Sequence, residues 1–330
     1  MRLFLDNKWK REEIAFCVHG SALSAHNFLE DIMMKKALAI LSLTLAMLPG
    51  SPSAQEQIVI GMTVPGLQFP FFVTMKADAE AAAAKLGVKL LFNDAQNSSD
   101  KQMAALENFS AQKVNGILIS PMTTDSLVPA IEDAAGKGIP VATVDRKANT
   151  EAVLIHVGAD NVEGGRAAAR YVIEKLGNKG TVIELEGTPG SSAAVDRKAG
   201  FDEVIKTSKV KILASQTAEF NRSKGQSVME NLMQVHPNFD AVFGANDEMI
   251  IGAIEAMSGA GIDLKKKVTI GFDATTDAFT YMKEGKLGAT IDQFPGQQAS
   301  LALSALVEKI KNKKDPEKKV VFINPKPVTK

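Results

Sequence analysis

Short apolar segments alternate with longer segments of helical period from residue 58 to residue 291. Residues 58–62 are rich in β-branched side chains and predict a strand, and residues 71–86 have the spacing of a helix that ends at Gly87. Further strands are predicted at residues 88–92, 116–119, 140–144, 154–157, 181–185, 211–214, 241–243, 268–271 and 288–291, and further helices at 125–136, 163–176, 221–235 and 247–257.

Strands that alternate with helices predict βαβ units, in which a parallel sheet carries helices on both faces. The strands are too many for one sheet, so we expect an α/β fold of two doubly wound, Rossmann-like lobes. Open parallel sheets bind ligands beyond the carboxyl ends of their strands. The side chains at or shortly beyond those ends are Asp145, Arg146, Arg197, Phe220, Asn246, Asp273 and Gln293. They come from both halves of the chain, and two facing lobes would bring them into one cleft.

A segment typical of an export signal precedes these elements. Met34, Lys35 and Lys36 supply a charged start, residues 37–48 are apolar except for two hydroxyl side chains, and residues 49–54 are small or helix-breaking. The apolar run is shorter than the roughly 20 residues that span a bilayer. We therefore expect a signal peptide over residues 34–54 that is cleaved after Ala54.

Residues 1–33 precede this signal and hold Trp9 and Cys17, the only Trp and the only Cys in the sequence. We interpret them as an over-long gene model whose true start is Met33 or Met34. The alternative is a real N-terminal extension, which would place the signal inside the chain.

Composition narrows the class of function. The chain has 38 basic and 38 acidic residues, so it lacks the basic surface expected of a nucleic-acid partner. Residues 55–330 contain no Cys, which excludes a disulfide, a thiolate metal site and a lipid-anchored cysteine. We expect an exported chain that is not inserted in the membrane, is retained in the periplasm of a Gram-negative cell and needs no cofactor or metal.

The residue types at the strand ends suit a ligand with many hydroxyl groups. Two aspartates, Asp145 and Asp273, can accept hydrogen bonds from hydroxyls, and two arginines, Arg146 and Arg197, can donate them. Charged partners strengthen such bonds, and Phe side chains offer flat surfaces to the faces of a sugar ring. Two acids and two guanidinium groups leave the site near neutral, which favours a neutral sugar or polyol over a sugar acid or amino sugar.

Simpler structural roles are open for the same residues. The neighbours at 145–146 could form a structural ion pair, and Asn246 could only cap the helix that follows it. Phe71 and Phe72 are adjacent and cannot both face the same way from a helix, which leaves one of them for the core. The glycines at 164–165 could mark only a tight helix start.

Short strings of residues occur in order along the chain: Pro70-Phe71-Phe72, Asp145-Arg146, Asn246-Asp247-Glu248-Met249 and Gly271-Phe272-Asp273. They resemble the ribose-binding proteins of bacterial sugar transporters, and the resemblance extends over nearly all of residues 57–325. It implies a type I periplasmic binding protein with two lobes joined by three hinge crossings. The implied lobes are residues 55–159 with 294–322, and residues 160–293 with 323–330.

The resemblance also implies a function and a set of contact residues. The implied function is that of a monomeric substrate-binding component, which closes on a monosaccharide and delivers it to the membrane permease of an ABC transporter. The implied sugar contacts are Phe71, Phe72, Asp145, Arg146, Arg197, Phe220, Asn246, Asp273 and Gln293. Phe69 and Ser120 stand where ribose binders carry asparagines, and the loop at 64–68 is about two residues longer. These departures predict a ligand other than ribose.

Three other classes of function are alternatives: an enzyme, a transcription regulator and a sensor subunit. For an enzyme, His156 and His236 lack metal-ligand spacing, and no nucleophile elbow or phosphate loop is present. Asp145 and Asp273 could form an acid–base pair as in glycosidases, but we expect the neighbouring arginines to hold both ionised. A transcription regulator would need a DNA-reading helix-turn-helix before residue 58. A sensor subunit for a chemoreceptor or kinase stays open.

Overall fold

The computed structural model describes residues 57–329. Six strands form the first sheet: β1 (Val59–Val64), β2 (Lys89–Asp94), β3 (Gly116–Ile119), β4 (Val141–Val144), β5 (Ile155–Ala159) and β11 (Val320–Ile323). Their order across the sheet is β11-β5-β4-β3-β1-β2, and every neighbouring pair is parallel. The predicted export signal and the extension before it lie outside the described residues.

The second sheet repeats this architecture. Its strands are β6 (Lys179–Glu186), β7 (Lys209–Thr217), β8 (Ala241–Gly244), β9 (Val268–Ile270), β10 (Ala289–Asp292) and β12 (Lys326–Thr329), in the order β12-β10-β9-β8-β6-β7. The predicted parallel sheets are confirmed, with one exception at the edge of the second sheet, where β12 pairs with β10 antiparallel. This exception arises because the chain enters β12 almost directly from β11, without a crossover helix that would reverse its direction.

Helices connect the strands and cover both sheets. They are α1 (Pro70–Leu86), α2 (Ser99–Ala111), α3 (Val128–Gly136), α4 (Asn161–Lys175), α5 (Ser192–Ile205), α6 (Arg222–Val235), α7 (Asp247–Gly259), α8 (Thr276–Lys283) and α9 (Pro295–Asn312). The predicted end of α1 is confirmed, since Gly87 adopts the left-handed conformation with φ of 69°. Helix α3 begins three residues later than predicted, with a proline in its first turn.

Helix α2 was not predicted, although the sequence carries a signal for it. The side chain of Ser98 accepts the backbone N–H of Lys101 at 3.3 Å and so caps the helix. Its apolar face buries Leu106 and Phe109 against the first sheet. A serine cap ahead of apolar positions at this spacing would have located it.

The chain passes between the two sheets three times: from β5 into α4, from β10 into α9, and from β11 into β12. Between the first and second passages it builds the second sheet, and α9 returns to pack on α1 and the first sheet. The lobe boundaries drawn from the resemblance stay a prediction. The strand assignment is compatible with them, because residues 159, 294 and 323 fall at or beside these passages.

The lobes also meet along one side of the space between them. The backbone N–H of Lys147 donates to Ser192 Oγ at 2.8 Å, and its ammonium pairs with Asp196 at 2.8 Å. The N–H of Thr124 donates to the carbonyl of Gly190 at 3.0 Å. Because these partners follow strands of different sheets, the two lobes are in direct contact beside this space.

The buried histidine of β5 gives a prediction about acid stability. His156 contacts Thr143 Oγ1 through Nδ1 at 2.9 Å, and burial, with the nearby Lys147, lowers its pKa to about 3. An unfolded histidine titrates near pH 6.5, so the folded protein loses stability as the pH falls from about 6.5 towards 3. Between pH 7 and pH 5 this loss is about 2 kcal/mol.

The variant His156→Asn should lack this part of the pH dependence. Urea unfolding of both proteins at pH 7 and pH 5 measures it as the difference between the two losses. An equal loss in both proteins would mean that other groups cause the acid sensitivity.

Candidate ligand-binding site

A cavity with about 300 Å³ of non-atom space, which includes space open to solvent, lies between the two lobes. It is lined by Phe69, Phe71, Phe72, Asp145, Arg146, Ala193, Arg197, Phe220, Asn246, Asp273 and Gln293. The structure therefore brings together all the predicted contact residues except Ser120. Several of them directly follow β4, β8 and β10, because the carboxyl ends of parallel strands share one edge of each sheet.

Arg197, on α5, is held on three sides in the buried wall of the second lobe. Its Nε donates to Asn161 Oδ1 at 2.8 Å, its Nη1 to the carbonyl of Ala245 at 2.7 Å, and its Nη2 to Gln293 Oε1 at 3.1 Å. The guanidinium also lies over the ring of Phe272, 3.7 Å from its centroid. These contacts fix the orientation of the guanidinium before any ligand arrives.

Asn161 is not among the residues predicted from the sequence. It is buried in the first turn of α4, and its only signal was its place beside Asp160, the residue that caps this helix. Ala193 was missed as well, because a small apolar residue at a helix start gives no chemical signal.

Asp273 and Gln293 form a linked pair beside Arg197. Gln293 Nε2 donates to Asp273 Oδ1 at 2.6 Å, and Arg197 Nη1 lies 3.7 Å from the same oxygen. Within residues 57–329, Asp273 Oδ2 receives no hydrogen bond. That oxygen is therefore available to a ligand.

Asp145 and Arg146 supply the facing wall from the first lobe. Arg146 Nη1 donates to the carbonyl of Met122 at 3.1 Å, and its Nε lies 3.6 Å from Asp145 Oδ2. This Nε is buried and has no hydrogen-bond partner among the described residues. A buried donor without a partner is costly, so a ligand acceptor at this position would satisfy it.

Ser120 does not line the cavity. It is completely buried behind Asp145 and donates its hydroxyl to Asp145 Oδ2 at 3.0 Å. Its place at the end of β3 points it towards its neighbour β4 rather than into the space between the lobes. Ser120 therefore contacts the cavity residue Asp145 and not the cavity itself.

Burial opposes the expected effect of the arginines on the two aspartates. Burial is the largest influence on Asp145 and raises its pKa, against the lowering effects of Arg146 and Arg197. Burial likewise raises the pKa of Asp273 well above its ordinary value, with Arg197 acting against it and Asp247 adding to it. The loss of water around each carboxylate outweighs the attraction of the guanidinium groups.

Four phenylalanines supply the apolar part of the cavity. Phe71 and Phe72 both line it, with ring centroids 5.2 Å apart in an edge-to-face arrangement, so neither is reserved for the core alone. Phe69 meets Phe72 in the same geometry at 6.2 Å. Opposite them, Phe220 lies under Arg146, whose guanidinium carbon is 5.3 Å from the ring centroid. A flat ligand between these surfaces would contact aromatic rings from both lobes.

Asn246 combines the two roles that the sequence left open. Its Oδ1 accepts the N–H of Met249 at 3.0 Å and caps α7, while its Nδ2 donates to the carbonyl of Phe220 at 3.2 Å. One N–H of the same amide is left for a ligand. The cap therefore orients a side chain that also lines the cavity.

Three cavity residues have unusual backbones. Asp145, Phe220 and Asp273 have φ values of 63°, 59° and 119°, in a region that side-chain-bearing residues seldom occupy. Such strain collects at functional sites, where the surrounding structure has to hold it. All three lie in segments that leave the carboxyl end of a strand.

Residues 57–329 include no helix that combines the length and apolar character needed to cross a bilayer. The same residues hold no group of three or more His, Cys, Asp or Glu side chains that could bind a metal ion.

Comparison with known proteins places this cavity in context. A family model described as "Periplasmic binding protein domain" matches residues 60–314. The chain is 40% identical over 294 residues to the ribose import binding protein of Bacillus subtilis (strain 168), covering 85% of this chain and 95% of the relative. It is 31% identical over 292 residues to the D-allose-binding periplasmic protein of Escherichia coli (strain K12), with coverage of 85% and 94%.

Solved structures agree with the sequence relatives. The Caulobacter myo-inositol binding protein, bound to myo-inositol, matches with a TM-score of 0.79 and 35% identity over 82% of this chain and 93% of that one. A galactofuranose binding protein matches with a TM-score of 0.79 and 31% identity, covering 82% and 94%.

Proposed function

The chain belongs to the periplasmic binding protein family, and from this premise we propose that it is the substrate-binding component of an ABC transporter that imports a neutral monosaccharide or polyol. The observation that carries the proposal is the cavity between the lobes in which two aspartates, two arginines, two amides and four phenylalanines meet. Relatives named for ribose and allose and the solved myo-inositol binding protein support this class of ligand.

The proposal includes the route of the protein. The chain would be exported to the periplasm, lose its signal after Ala54, act as a monomer and deliver its ligand to a membrane permease. The contacts of Lys147 and Thr124 across the lobes fit a closed state that would form around the ligand. Nothing in this role requires catalysis.

The polar atoms of the cavity match hydroxyl groups. Asp145 and Asp273 each keep one carboxylate oxygen without a hydrogen bond from residues 57–329. Arg197 uses one N–H on each of its three nitrogens, so two of its five N–H groups are left. A sugar hydroxyl can donate to a carboxylate and accept from a guanidinium at once. Such hydrogen bonds favour the ionised carboxylates and would offset the effect of burial on their pKa.

A thermal-shift screen of the exported protein tests the proposal. The set should contain pentoses, hexoses and polyols, together with sugar acids and amino sugars of the same size. A ligand at 100 times its Kd stabilises the folded state by about 2.7 kcal/mol, which raises the melting temperature measurably. Stabilisation by a sugar acid or amino sugar, with none by any neutral compound, would refute the proposal.

Phe69 is expected to direct specificity away from ribose. It lines the cavity where ribose binders carry an asparagine, and its ring offers no hydrogen bond. Phe69→Asn should therefore strengthen ribose binding by about tenfold, the value of one hydrogen bond of ~1.4 kcal/mol. Titration calorimetry with ribose measures the change, with Phe69→Leu as the apolar control.

The second departure from the ribose binders is not replaced in this test, because Ser120 is completely buried and an asparagine there would need additional room. Two results would contradict the role of Phe69. One is ribose binding by the unmodified protein that exceeds its binding of every other sugar. The other is an equal gain in Phe69→Asn and Phe69→Leu.

A further inference from the structure

Asp247 is a buried carboxylate that neither lines the cavity nor joins an ion pair among the described residues. It is the first residue of α7 and directly follows Asn246. Its Oδ1 accepts the hydroxyl of Thr290 at 2.7 Å, and its Oδ2 accepts both the N–H and the hydroxyl of Thr275, at 2.8 and 3.1 Å. All its partners therefore belong to β10 and to the segment after β9.

Thr290 extends this contact to one more peptide group. Its Oγ1 donates to Asp247 and accepts the N–H of Ala274 at 3.1 Å. The N–H groups of two consecutive residues, Ala274 and Thr275, are thus bound to the Asp247 carboxylate, one through Thr290 and one directly. We call residues 273–275 the Asp273 loop.

The Asp273 loop needs such support because its backbone is strained. Asp273 has a φ of 119° and Ala274 a φ of 53°, so two consecutive residues with side chains occupy the region that favours glycine. The N–H of Thr275 donates directly to the Asp247 carboxylate, and that of Ala274 is bound to it through Thr290. The N–H of Asp273 donates to the carbonyl of Ile291 at 2.8 Å. Without these hydrogen bonds the loop would relax to an ordinary conformation and carry the Asp273 carboxylate with it.

Asp247 also packs closely against the two residues between β9 and the Asp273 loop. A Cβ atom on Gly271 would lie 2.3 Å from Asp247 Oδ1, so a larger residue there would have to displace this carboxylate. The N–H of Asp247 donates to the carbonyl of Phe272 at 2.7 Å. The same segment supplies the ring against Arg197 and the carboxylate of Asp273.

From this network we propose that Asp247 and Thr290 are positioning residues for sugar binding, which hold the Asp273 loop in its left-handed conformation and so aim the Asp273 carboxylate into the cavity. The inference rests on the proposed function for its ligand. It concerns residues that touch no sugar themselves, and it predicts that their loss weakens binding through the loop.

Thr290→Val tests it with little change of shape, because a methyl group replaces the hydroxyl. We expect sugar affinity to fall by about tenfold or more. We also expect the amide of Ala274, in the ligand-free protein, to exchange its hydrogen at least about tenfold faster, because its hydrogen-bond acceptor is gone. Thr290→Ser restores the hydroxyl and should restore both values.

Thr269→Val is the matched control. Thr269 is buried in the neighbouring strand β9, where its hydroxyl donates to the carbonyl of Lys286 at 3.1 Å and accepts the N–H of Gly288 at 3.0 Å. The same substitution there removes the same kind of bridge away from the cavity. It should lower the melting temperature and leave both the affinity and the Ala274 exchange rate unchanged.

Calorimetric titration with the sugar that binds best in the screen measures the affinity. Hydrogen exchange by NMR measures separately how well the Ala274 amide is protected. Unchanged Ala274 exchange in Thr290→Val would contradict the claim that Thr290 holds the Asp273 loop, and faster exchange with unchanged affinity would contradict a role of this support in binding. Equal losses of affinity in Thr290→Val and Thr269→Val would show that the loss comes from general destabilisation, and this would contradict the positioning role of Thr290. Failure of the unmodified protein to bind any neutral sugar would refute the proposed function, while the exchange result would still show whether Asp247 and Thr290 hold the Asp273 loop.

Discussion

Arg197→Ala is expected to weaken the binding of every sugar by about a hundred- to a thousandfold. The guanidinium makes three buried hydrogen bonds and lies 3.7 Å from Asp273. Its removal takes donors from the ligand and also leaves a buried carboxylate without its nearest cation. Breaking a buried charge pair in this way costs roughly 3–5 kcal/mol.

Titration calorimetry against several neutral sugars checks this result. Arg197→Lys keeps the charge but loses the planar fork, so its affinity should lie between those of the unmodified protein and Arg197→Ala. Arg166→Ala is the control, because Arg166 is a more exposed arginine that pairs with Glu203 away from the cavity. The prediction fails if Arg197→Ala binds its best sugar within about threefold of the unmodified protein.

Gly165→Ala is expected to lower the free energy of unfolding by about 3 kcal/mol or more. A Cβ atom on Gly165, in α4, would lie 2.1 Å from the carbonyl oxygen of Arg197 in α5. On the other helix, a Cβ on Gly200 would lie 1.9 Å from the carbonyl of Val162. The obstacles are backbone atoms, which cannot turn aside as side chains do. The two helices would therefore have to separate.

Separation of α4 and α5 should also displace Arg197, so this variant is expected to bind sugar more weakly as well as to unfold earlier. Urea unfolding gives the stability and calorimetry gives the affinity. Gly259→Ala is the control, since Gly259 ends α7 with open space around its Cβ position. A change below about 1 kcal/mol in Gly165→Ala would show that the helix pair accommodates a methyl group easily.

The alternation of apolar strands and periodic helices in the sequence was sufficient to predict the two-lobed α/β fold. Both signals are local: β-branched runs select extended backbone, and Gly87 ends α1 because it alone accepts the left-handed conformation there without strain. The rule that ligands bind beyond strand ends then selected Asp145, Asn246 and Gln293 before any contact was known. Their role in binding stays a prediction.

Tertiary structure decided how these residues act on one another. Ser120 lies behind Asp145, and Asn161 holds Arg197 from another helix, because only strand register and helix packing bring such distant positions together. The sequence suggested that neighbouring arginines keep the aspartates ionised, but it does not show their loss of water, which raises the pKa values of Asp145 and Asp273. The glycines at 164–165 could have marked only a helix start, yet Gly165 is needed where α4 and α5 meet. Local pattern sets the elements of this protein, whereas burial and close approach, which depend on the whole chain, set its chemistry.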